Sequence, residues 1–172
     1  TLGITSRSRA NRDQLRIFFE AFFKMAPDTI LVAAAGNRRS DVALPADLDN
    51  VIAVGSFDVQ GRKPISSFKC VPQDRFVLAP DGANAVGKAL ASRPAYSGIE
   101  FLHGTSFATA FVTGFAARVT CAIKGGACTG FHHGSASSKS RMQTVLDEIS
   151  HRADRGWSGF DPTLHGLGAL RW

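Results

Sequence analysis

The sequence contains no hydrophobic run that approaches the ~18–20 apolar residues needed to cross a bilayer, so it predicts no membrane-spanning helix. It also lacks an internal repeat, which argues against solenoid and other repeat architectures. The first residues do not show the basic-then-apolar pattern of a signal peptide, but a processed or trimmed chain would lack that pattern too. What remains is 172 residues, 44% hydrophobic and 20% charged, an ordinary composition for one globular domain with its own core.

Cysteine is scarce, and the number of cysteines is odd: the chain has three. Cys121 and Cys128 flank a glycine-rich turn, which predicts a short disulfide loop in an oxidising compartment. Cys70 would then pair outside this chain or stay reduced. Three buried thiols in a reducing compartment are the alternative, so a secreted or periplasmic location is favoured only slightly over a cytoplasmic one.

Acidic residues are outnumbered, since 14 Asp and Glu stand against 20 Lys and Arg, for a net charge of +6. A nucleic-acid surface usually clusters its basic residues on one face. Here the basic residues are scattered along the chain and are not interleaved with aromatic residues. We therefore interpret the excess as a solvated basic face and expect neither a nucleic acid nor a membrane as a partner.

Hydrophobic patterning predicts one helix, then three strands, then two more helices. Each strand is a continuous apolar run, which suits a parallel strand buried on both faces. The predicted elements span Asn11–Met25, Thr29–Ala35, Val51–Phe57, Arg75–Pro80, Phe107–Val119 and Ser138–Ile149. Residues 83–100 are expected to form a loop or a weak hairpin, and the tail from 157 to 172 shows no periodicity. This order predicts an α/β layer fold with a largely parallel sheet.

The stretch from Leu102 to Val119 organises the rest of the chain. A glycine and two hydroxyl residues lead into a dozen small or apolar residues without proline, which predicts a loop followed by a helix that is buried all round. Thr105 or Ser106 occupies the capping position. A serine at the start of such a helix is also placed for chemistry, because the helix dipole and the free amides favour negative charge beside it.

The sequence Gly104-Thr105-Ser106-Phe107-Ala108, followed by Val112 and Gly114, resembles the nucleophile segment of the subtilisin-like serine proteases, the subtilases of peptidase family S8. The family usually has a proline four residues after the serine, where this chain has Ala110. Further blocks resemble the same family in the family's own order. They are Thr1-Leu2-Gly3, Val32–Asn37, Val51–Gly55, Leu78-Ala79-Pro80 and His165–Gly168.

The resemblance implies a three-layer α/β/α fold of which residues 1–172 are the carboxyl-terminal portion of a single peptidase domain. It implies Ser106 as the nucleophile and Asn37 as an oxyanion-hole donor, although Asn37 alone is also typical of a left-handed turn after Gly36. The chemistry needs both roles, since a hydroxyl must be activated and the carbonyl oxygen that becomes an anion must be stabilised. The resemblance also implies substrate contacts at Leu2, Gly3, Ala35, Gly36 and Thr105.

Two family blocks are missing. The catalytic aspartate normally stands in an Asp-[Ser/Thr]-Gly turn and the histidine in a His-Gly-Thr-His block, and the chain has neither. We therefore expect the acid and the base in a preceding segment or in a separate chain made by internal cleavage, and we expect the isolated chain to be inactive. The partners are that segment and a protein or peptide substrate. No cofactor or metal is expected, since the His132-His133 pair is typical of an exposed loop, and calcium alone is left open.

Two alternatives remain open at this stage. Gly104-Thr105-Ser106-Phe107-Ala108 nearly matches the Gly-x-Ser-x-Gly nucleophile elbow, and Asp161 and His165 follow in the order of an α/β-hydrolase esterase. The second alternative is a catalytically inactive subtilisin-like module that binds a peptide or a partner protein, pairing an extended segment with the strand edge at Leu2-Gly3.

Overall fold

The computed structural model describes residues 9–37, 41–58, 63–64, 71–80, 86–88, 99–101, 104–123 and 140–170. The three parallel strands of the main sheet are short, mostly apolar runs, and the helices precede or follow these strands along the chain. In chain order the elements are α1 (Arg9–Met25), β1 (Leu31–Ala34), β2 (Val51–Asp58), β3 (Lys63–Pro64), β4 (Phe76–Pro80), β5 (Val86–Lys88), β6 (Ile99–Phe101), α2 (Thr105–Ile123), α3 (Arg141–Arg152) and α4 (Pro162–His165).

The main sheet is built around β2, which lies between β1 and β4 and runs parallel to both. The two-residue strand β3 pairs antiparallel with the end of β2, and β5 with β6 forms a separate antiparallel pair. Seven of the eight residues of β2 are buried, as expected for a parallel strand covered on both faces. The α/β fold with a largely parallel sheet is confirmed.

Alternate side chains of β2 enter two separate cores, one on each face of the sheet. Val51 and Phe57 pack in the core that includes Phe19 of α1. Ile52 and Val54 pack in the core that includes residues of α2 and α3. Helices therefore cover both faces, in three α/β/α layers. None of the helices in the described residues is both long and apolar enough to cross a membrane.

The expectation that α2 is buried all round is wrong for the described structure. One face of the helix packs on β1, β2 and β4, with Ala108, Val112 and Phe115 buried there. The opposite face is exposed, and the exposed positions after the first turn are Ala110, Thr113, Gly114, Ala117 and Arg118. This exposed face of α2 consists mostly of small residues that are typical of a buried helix, although no described residue covers it.

The carboxyl-terminal tail, for which the sequence predicts no regular structure, lies along the outer edge of β4. The amide of Leu78 donates to the carbonyl of Gly168 (2.9 Å), and the amide of Leu170 donates to the carbonyl of Leu78 (2.7 Å). Tail residue Leu170 is fully buried. The tail thus completes the sheet on this side, in part through backbone hydrogen bonds, which apolar periodicity cannot reveal.

Gly166 makes the turn that brings the tail onto β4, so replacing it should destabilise the fold. Its φ is +54°, and a Cβ there would collide with the carbonyl oxygen of Phe76 and lie 2.8 Å from the Phe76 Cβ. We expect Gly166→Ala to lower the free energy of unfolding by about 1–3 kcal/mol, measured by urea denaturation.

Gly114→Ala is the matched control, because a Cβ at Gly114 would meet nothing within 4 Å. In the middle of a helix this change should be neutral or stabilising by roughly 0.5–1 kcal/mol. Equal effects of the two substitutions would contradict the role assigned to Gly166.

Candidate active site

The two residues singled out for chemistry lie at the same edge of the sheet. Asn37 follows the carboxyl end of β1, and Ser106 is the second residue of α2, the helix that packs across β1, β2 and β4. Both side chains are exposed. Open α/β sheets place their ligand sites at the carboxyl ends of parallel strands, so this edge is the candidate active site.

Asn37 is hydrogen-bonded directly to the first residue of α2. Its Oδ1 accepts from the backbone amide of Thr105 (3.0 Å) and from the Thr105 hydroxyl (2.9 Å). Thr105 is buried, with 1% of its surface exposed, and its carbonyl accepts from the Thr109 hydroxyl (2.6 Å). The side chain of Asn37, just after β1, is thus hydrogen-bonded to the first residue of α2, which lies 68 residues later in the sequence.

This arrangement corrects the expected cap of α2. The carbonyl of Gly104 accepts the first helical hydrogen bonds, from the amides of Phe107 (3.1 Å) and Ala108 (3.4 Å), so Gly104 occupies the N-cap position. The side-chain acceptor for the first amide is Asn37 and comes from another element. Among the described residues, the Ser106 hydroxyl accepts no hydrogen bond from the helix amides, so Ser106 is not a capping residue.

Apart from these hydrogen bonds, Asn37 and Ser106 each have one donor at this edge of the sheet. Because the Asn37 Oδ1 is occupied by Thr105, the orientation of the amide is fixed and Nδ2 is the group that remains to donate. The amide of Ser106 is one of the first-turn amides that an α-helix leaves unpaired, and no acceptor for it lies among the described residues. The Asn37 Nδ2 and the Ser106 amide are therefore hydrogen-bond donors at this edge with no acceptor among the described residues.

Gly104 is part of the site, although it was not among the predicted site residues. Its φ is +130°, and a Cβ there would lie 3.2 Å from the Nδ2 of Asn37 and 3.3 Å from its Oδ1. Any side chain at this position would press on the amide that the site depends on. The glycine directly before Thr105-Ser106 was the available signal, since glycine permits both the positive φ and the close approach.

The residues predicted to contact the substrate lie in different surroundings. Gly36, at φ +108°, is half-buried beside Asn37, and its substrate role stays a prediction. Ala35 has 1% of its surface exposed; its amide donates to the Val54 carbonyl (2.9 Å) and its carbonyl accepts from the Ala43 amide (3.0 Å). Its substrate role also stays a prediction. The amide and the hydroxyl of Thr105 both bind Asn37, and its substrate role stays a prediction as well. Leu2 and Gly3 lie outside the described residues.

The esterase alternative requires Asp161 to orient His165, and the structure shows a different arrangement. The Nδ1 of His165 accepts from the backbone amide of Asp161 (2.8 Å). The Asp161 carboxylate caps α4, accepting from the amide (2.8 Å) and the hydroxyl (2.6 Å) of Thr163. A histidine whose Nδ1 is an acceptor cannot at the same time donate from Nδ1 to an aspartate, which a catalytic triad requires.

The position of His165 also separates it from Ser106. The residue after Gly166, Leu167, donates to the carbonyl of Phe76 at the amino end of β4, whereas Ser106 lies at the carboxyl edge of the sheet. The imidazole packs against the rings of Trp157 and Phe160, with centroids 5.6 and 5.8 Å away. His165 is a packed structural residue, so the esterase triad is not supported.

The remaining histidines and possible metal ligands are placed as follows. His103, His132 and His133 lie outside the described residues, and His151 lies in the last turn of α3. Within the described part of the chain, no group of three or more His, Cys, Asp or Glu residues is arranged to hold a metal ion.

The family model described as "Subtilase family", Peptidase_S8, matches residues 3–151. The chain belongs to the subtilase family. The match includes both Asn37 and Ser106 and most of the described sheet. A search among curated proteins gave no match.

Solved structures of subtilases share this fold. The prenylagaramide maturation protease PagA is 26% identical, with 90% of this chain and 53% of that chain covered and a TM-score of 0.63. The self-cleaved protease domain of PatA is 25% identical, with 88% and 50% covered and a TM-score of 0.54. A lanthipeptide protease, 17% identical with 97% and 56% covered and a TM-score of 0.65, shows the likeness of fold alone. The chain spans about half the length of the structures it matches.

If the Thr105 hydroxyl is hydrogen-bonded to Asn37, removing one of the two side chains should reduce what the other contributes to the free energy of unfolding. In a double-mutant cycle of Thr105→Val and Asn37→Ala, we expect an interaction energy of about 0.5–1.5 kcal/mol in the free energy of unfolding. Thr113→Val is the matched control, because the Thr113 hydroxyl donates to the Thr109 carbonyl (2.8 Å) and not to Asn37. A coupling no larger than that of the control pair would contradict the assigned hydrogen bond.

The burial of His165 predicts a pH dependence of stability. Burial lowers the pKa of His165 below its ordinary value of 6.5, against the opposing effect of Asp161. The unfolded chain therefore takes up a proton at a pH where the folded chain does not, and stability falls as the pH drops below about 6.5. We expect the free energy of unfolding, measured with urea, to fall less in His165→Gln than in the unsubstituted chain when the pH drops from about 8 to about 5. Parallel pH profiles would contradict this prediction.

Proposed function

We propose that this chain supplies the nucleophile and the oxyanion hole of a serine endopeptidase that hydrolyses peptide bonds through an acyl-enzyme. The observation that carries the proposal is the pairing of Asn37 with Thr105 immediately beside the exposed Ser106. The pairing fixes the Asn37 amide with its Nδ2 remaining to donate, next to a helix start whose free amides and dipole favour negative charge. The subtilase family assignment supports the same chemistry.

In the proposed reaction, the Ser106 hydroxyl oxygen attacks the carbonyl carbon of the scissile peptide bond and its proton passes to a base. The carbonyl oxygen becomes an anion that accepts hydrogen bonds from the Asn37 Nδ2 and the Ser106 amide. The carbon–nitrogen bond then breaks, the amine leaves with the proton from the base, and the acyl group stays on Ser106. Water attacks this ester in the same way, giving a carboxylate and restoring the hydroxyl.

We propose that the base and the aspartate that orients it come from another segment of the same protease, either preceding this sequence or separated from it by cleavage. Residues 1–172 would then be the carboxyl-terminal portion of one catalytic domain. Two observations support this proposal. The chain covers only about half of the protease structures it matches, and the PatA protease domain, one of those structures, is described as self-cleaved. We further propose that Leu2, Gly3 and Gly36 bind the substrate backbone.

The test is labelling of Ser106 by a fluorophosphonate, together with peptide hydrolysis, in the product of the complete reading frame that contains this sequence. We expect Ser106→Ala to abolish both, because the proposed acyl-enzyme forms on the Ser106 hydroxyl. We expect residues 1–172 alone to show neither activity, because the hydroxyl lacks a base. A complete product that folds but does not label at Ser106 would instead favour a module that binds peptides without cleaving them.

Asn37→Ala in the same protein should lower kcat with little change in KM, since the contact to oxygen strengthens in the transition state. Loss of the corresponding asparagine in subtilisin costs about 10²–10³ in kcat, a magnitude we take over from that enzyme. A change confined to KM would indicate that Asn37 binds substrate or shapes the turn without stabilising the oxyanion.

A further inference from the structure

Ser56 carries a buried hydroxyl that makes no hydrogen bond in the described part of the chain. It is the one polar side chain in the buried run of β2 from Val51 to Phe57, and none of its surface is exposed. Its Oγ has no hydrogen-bond partner among the described residues. An unpaired buried polar group is unfavourable, so each one in a folded protein calls for an explanation, and a role in catalysis is one of the recognised explanations.

The neighbours of Ser56 in the sheet leave room around its hydroxyl. Side chains alternate along a strand, so Ser56 faces the same side as Val54, which packs in the core with α2. Its partner on β4 is Ala79. On the other side, the pairing of β1 with β2 ends at Ala34 and Val54, two residues before Gly36 and Ser56. Alanine and glycine have no polar side-chain atom to bond the hydroxyl, and both are small enough for the serine to change rotamer.

Ser56 lies level with the first turn of α2. The helix starts at the carboxyl edge of the sheet and runs back across it, so Ala116 lines the same groove as Val32, and Val32 pairs with Ile52. Ser56 stands further along β2 than Ile52 by about 13 Å, at roughly 3.3 Å per strand residue. An α-helix covers that distance in about nine residues at roughly 1.5 Å each, which leads from Ala116 back to the first turn.

Thr105 presents a hydroxyl on the inner face of that first turn. Like Ala108 and Val112, it is buried where α2 packs on the sheet. The Thr105 hydroxyl donates its one proton to the Oδ1 of Asn37 (2.9 Å), and its oxygen can still accept a hydrogen bond. Ser56 therefore has a proton to donate, and Thr105 has an acceptor for which the described residues supply no donor.

We propose that Ser56 is a positioning residue of the oxyanion hole, whose hydroxyl donates to the Thr105 hydroxyl oxygen as negative charge develops on the substrate. This inference rests on the proposed function. The hydrogen bonds then run in one direction, from Ser56 to Thr105, from Thr105 to the Asn37 Oδ1, and from the Asn37 Nδ2 to the substrate oxygen. No hydrogen bond joins the two hydroxyls in the resting structure, so the contact requires rotation of the Ser56 side chain or a small movement of α2.

Such a chain of hydrogen bonds acts on the transition state more than on the bound substrate. Hydrogen bonds in a chain polarise one another, so a group that accepts a bond becomes a stronger donor. As the substrate oxygen becomes an anion, Asn37 donates more strongly and draws more strongly on Thr105, and the bond from Ser56 strengthens with them. An interaction that strengthens in the transition state raises kcat and leaves KM almost unchanged.

The experiment measures kcat and KM for peptide hydrolysis by the complete product, with Ser56→Ala introduced into the unsubstituted protein and into Asn37→Ala. We expect Ser56→Ala alone to lower kcat by about two- to tenfold, the effect of one hydrogen bond, with little change in KM. In Asn37→Ala the same substitution should lower kcat no further, because the chain of hydrogen bonds no longer reaches the substrate. Ser56→Cys, whose thiol is a weaker donor, should have an intermediate kcat.

Thr109→Val is the matched control. Thr109 has a buried hydroxyl on the same face of α2, but this hydroxyl donates to the Thr105 carbonyl (2.6 Å) and not to Asn37. Thr109→Val should change kcat by the same factor with and without Asn37, and it should lower the midpoint of urea unfolding. Ser56→Ala should not lower that midpoint, because it removes a hydroxyl that is unpaired in the resting protein.

Other results would overturn the inference. An unchanged kcat in Ser56→Ala, or an equal fall in kcat with and without Asn37, would show that Ser56 does not act through the asparagine. A lower urea midpoint with an unchanged kcat would make Ser56 a structural residue. Failure of the unsubstituted product to label at Ser106 with a fluorophosphonate would remove the proposed function and this inference together. Labelling at Ser106 with no effect of Ser56→Ala on kcat would remove this inference alone.

Discussion

The pair of hydrogen bonds from Thr105 to the Oδ1 of Asn37 is the contact on which the candidate site depends. It joins the end of a buried parallel strand to the start of the helix that crosses the sheet. Each bond adds only about 0.5–1.5 kcal/mol to stability, so its importance lies in geometry. With Oδ1 held from one side, the asparagine amide has a defined orientation, and the helix start is capped without using the serine beside it.

This arrangement frees Ser106 from the structural role that its position would otherwise give it. A serine at the start of a helix ordinarily accepts from the amides of the first turn. Here Asn37 accepts from the first amide and the carbonyl of Gly104 accepts from the amides of Phe107 and Ala108, while the hydroxyl of Ser106 stays exposed. Donors that are fixed by the fold need no reorganisation as charge develops, which is the property that makes an oxyanion hole effective.

Much of the fold was predictable because its signals are local. β1, β2 and β4 are continuous apolar runs, and α1 and α3 show helical spacing that ends near the observed bounds. The cap of α2 was not predictable, because Asn37 is 68 residues away and no local pattern encodes a bond across that distance. The pattern predicts the start of α3 at Ser138, whereas the helix begins at Arg141 and Ser140 caps it, accepting from the amide of Gln143. The small and apolar composition of α2 predicts burial all round, but one face of the helix is exposed in the described residues, so composition alone overestimated its burial.

The attachment of the tail to β4 has a consequence for the order in which the chain matures. Domains generally begin to fold as they are synthesised, from the amino-terminal end. The outer edge of β4 gains its partner only when residues 167–170 leave the ribosome, more than 60 residues after Ser106 in the sequence. Until then the apolar outer edge of β4 lacks these backbone hydrogen bonds, and α2 packs on an incomplete sheet. During synthesis, α2 therefore emerges well before the residues that complete the sheet on which it packs.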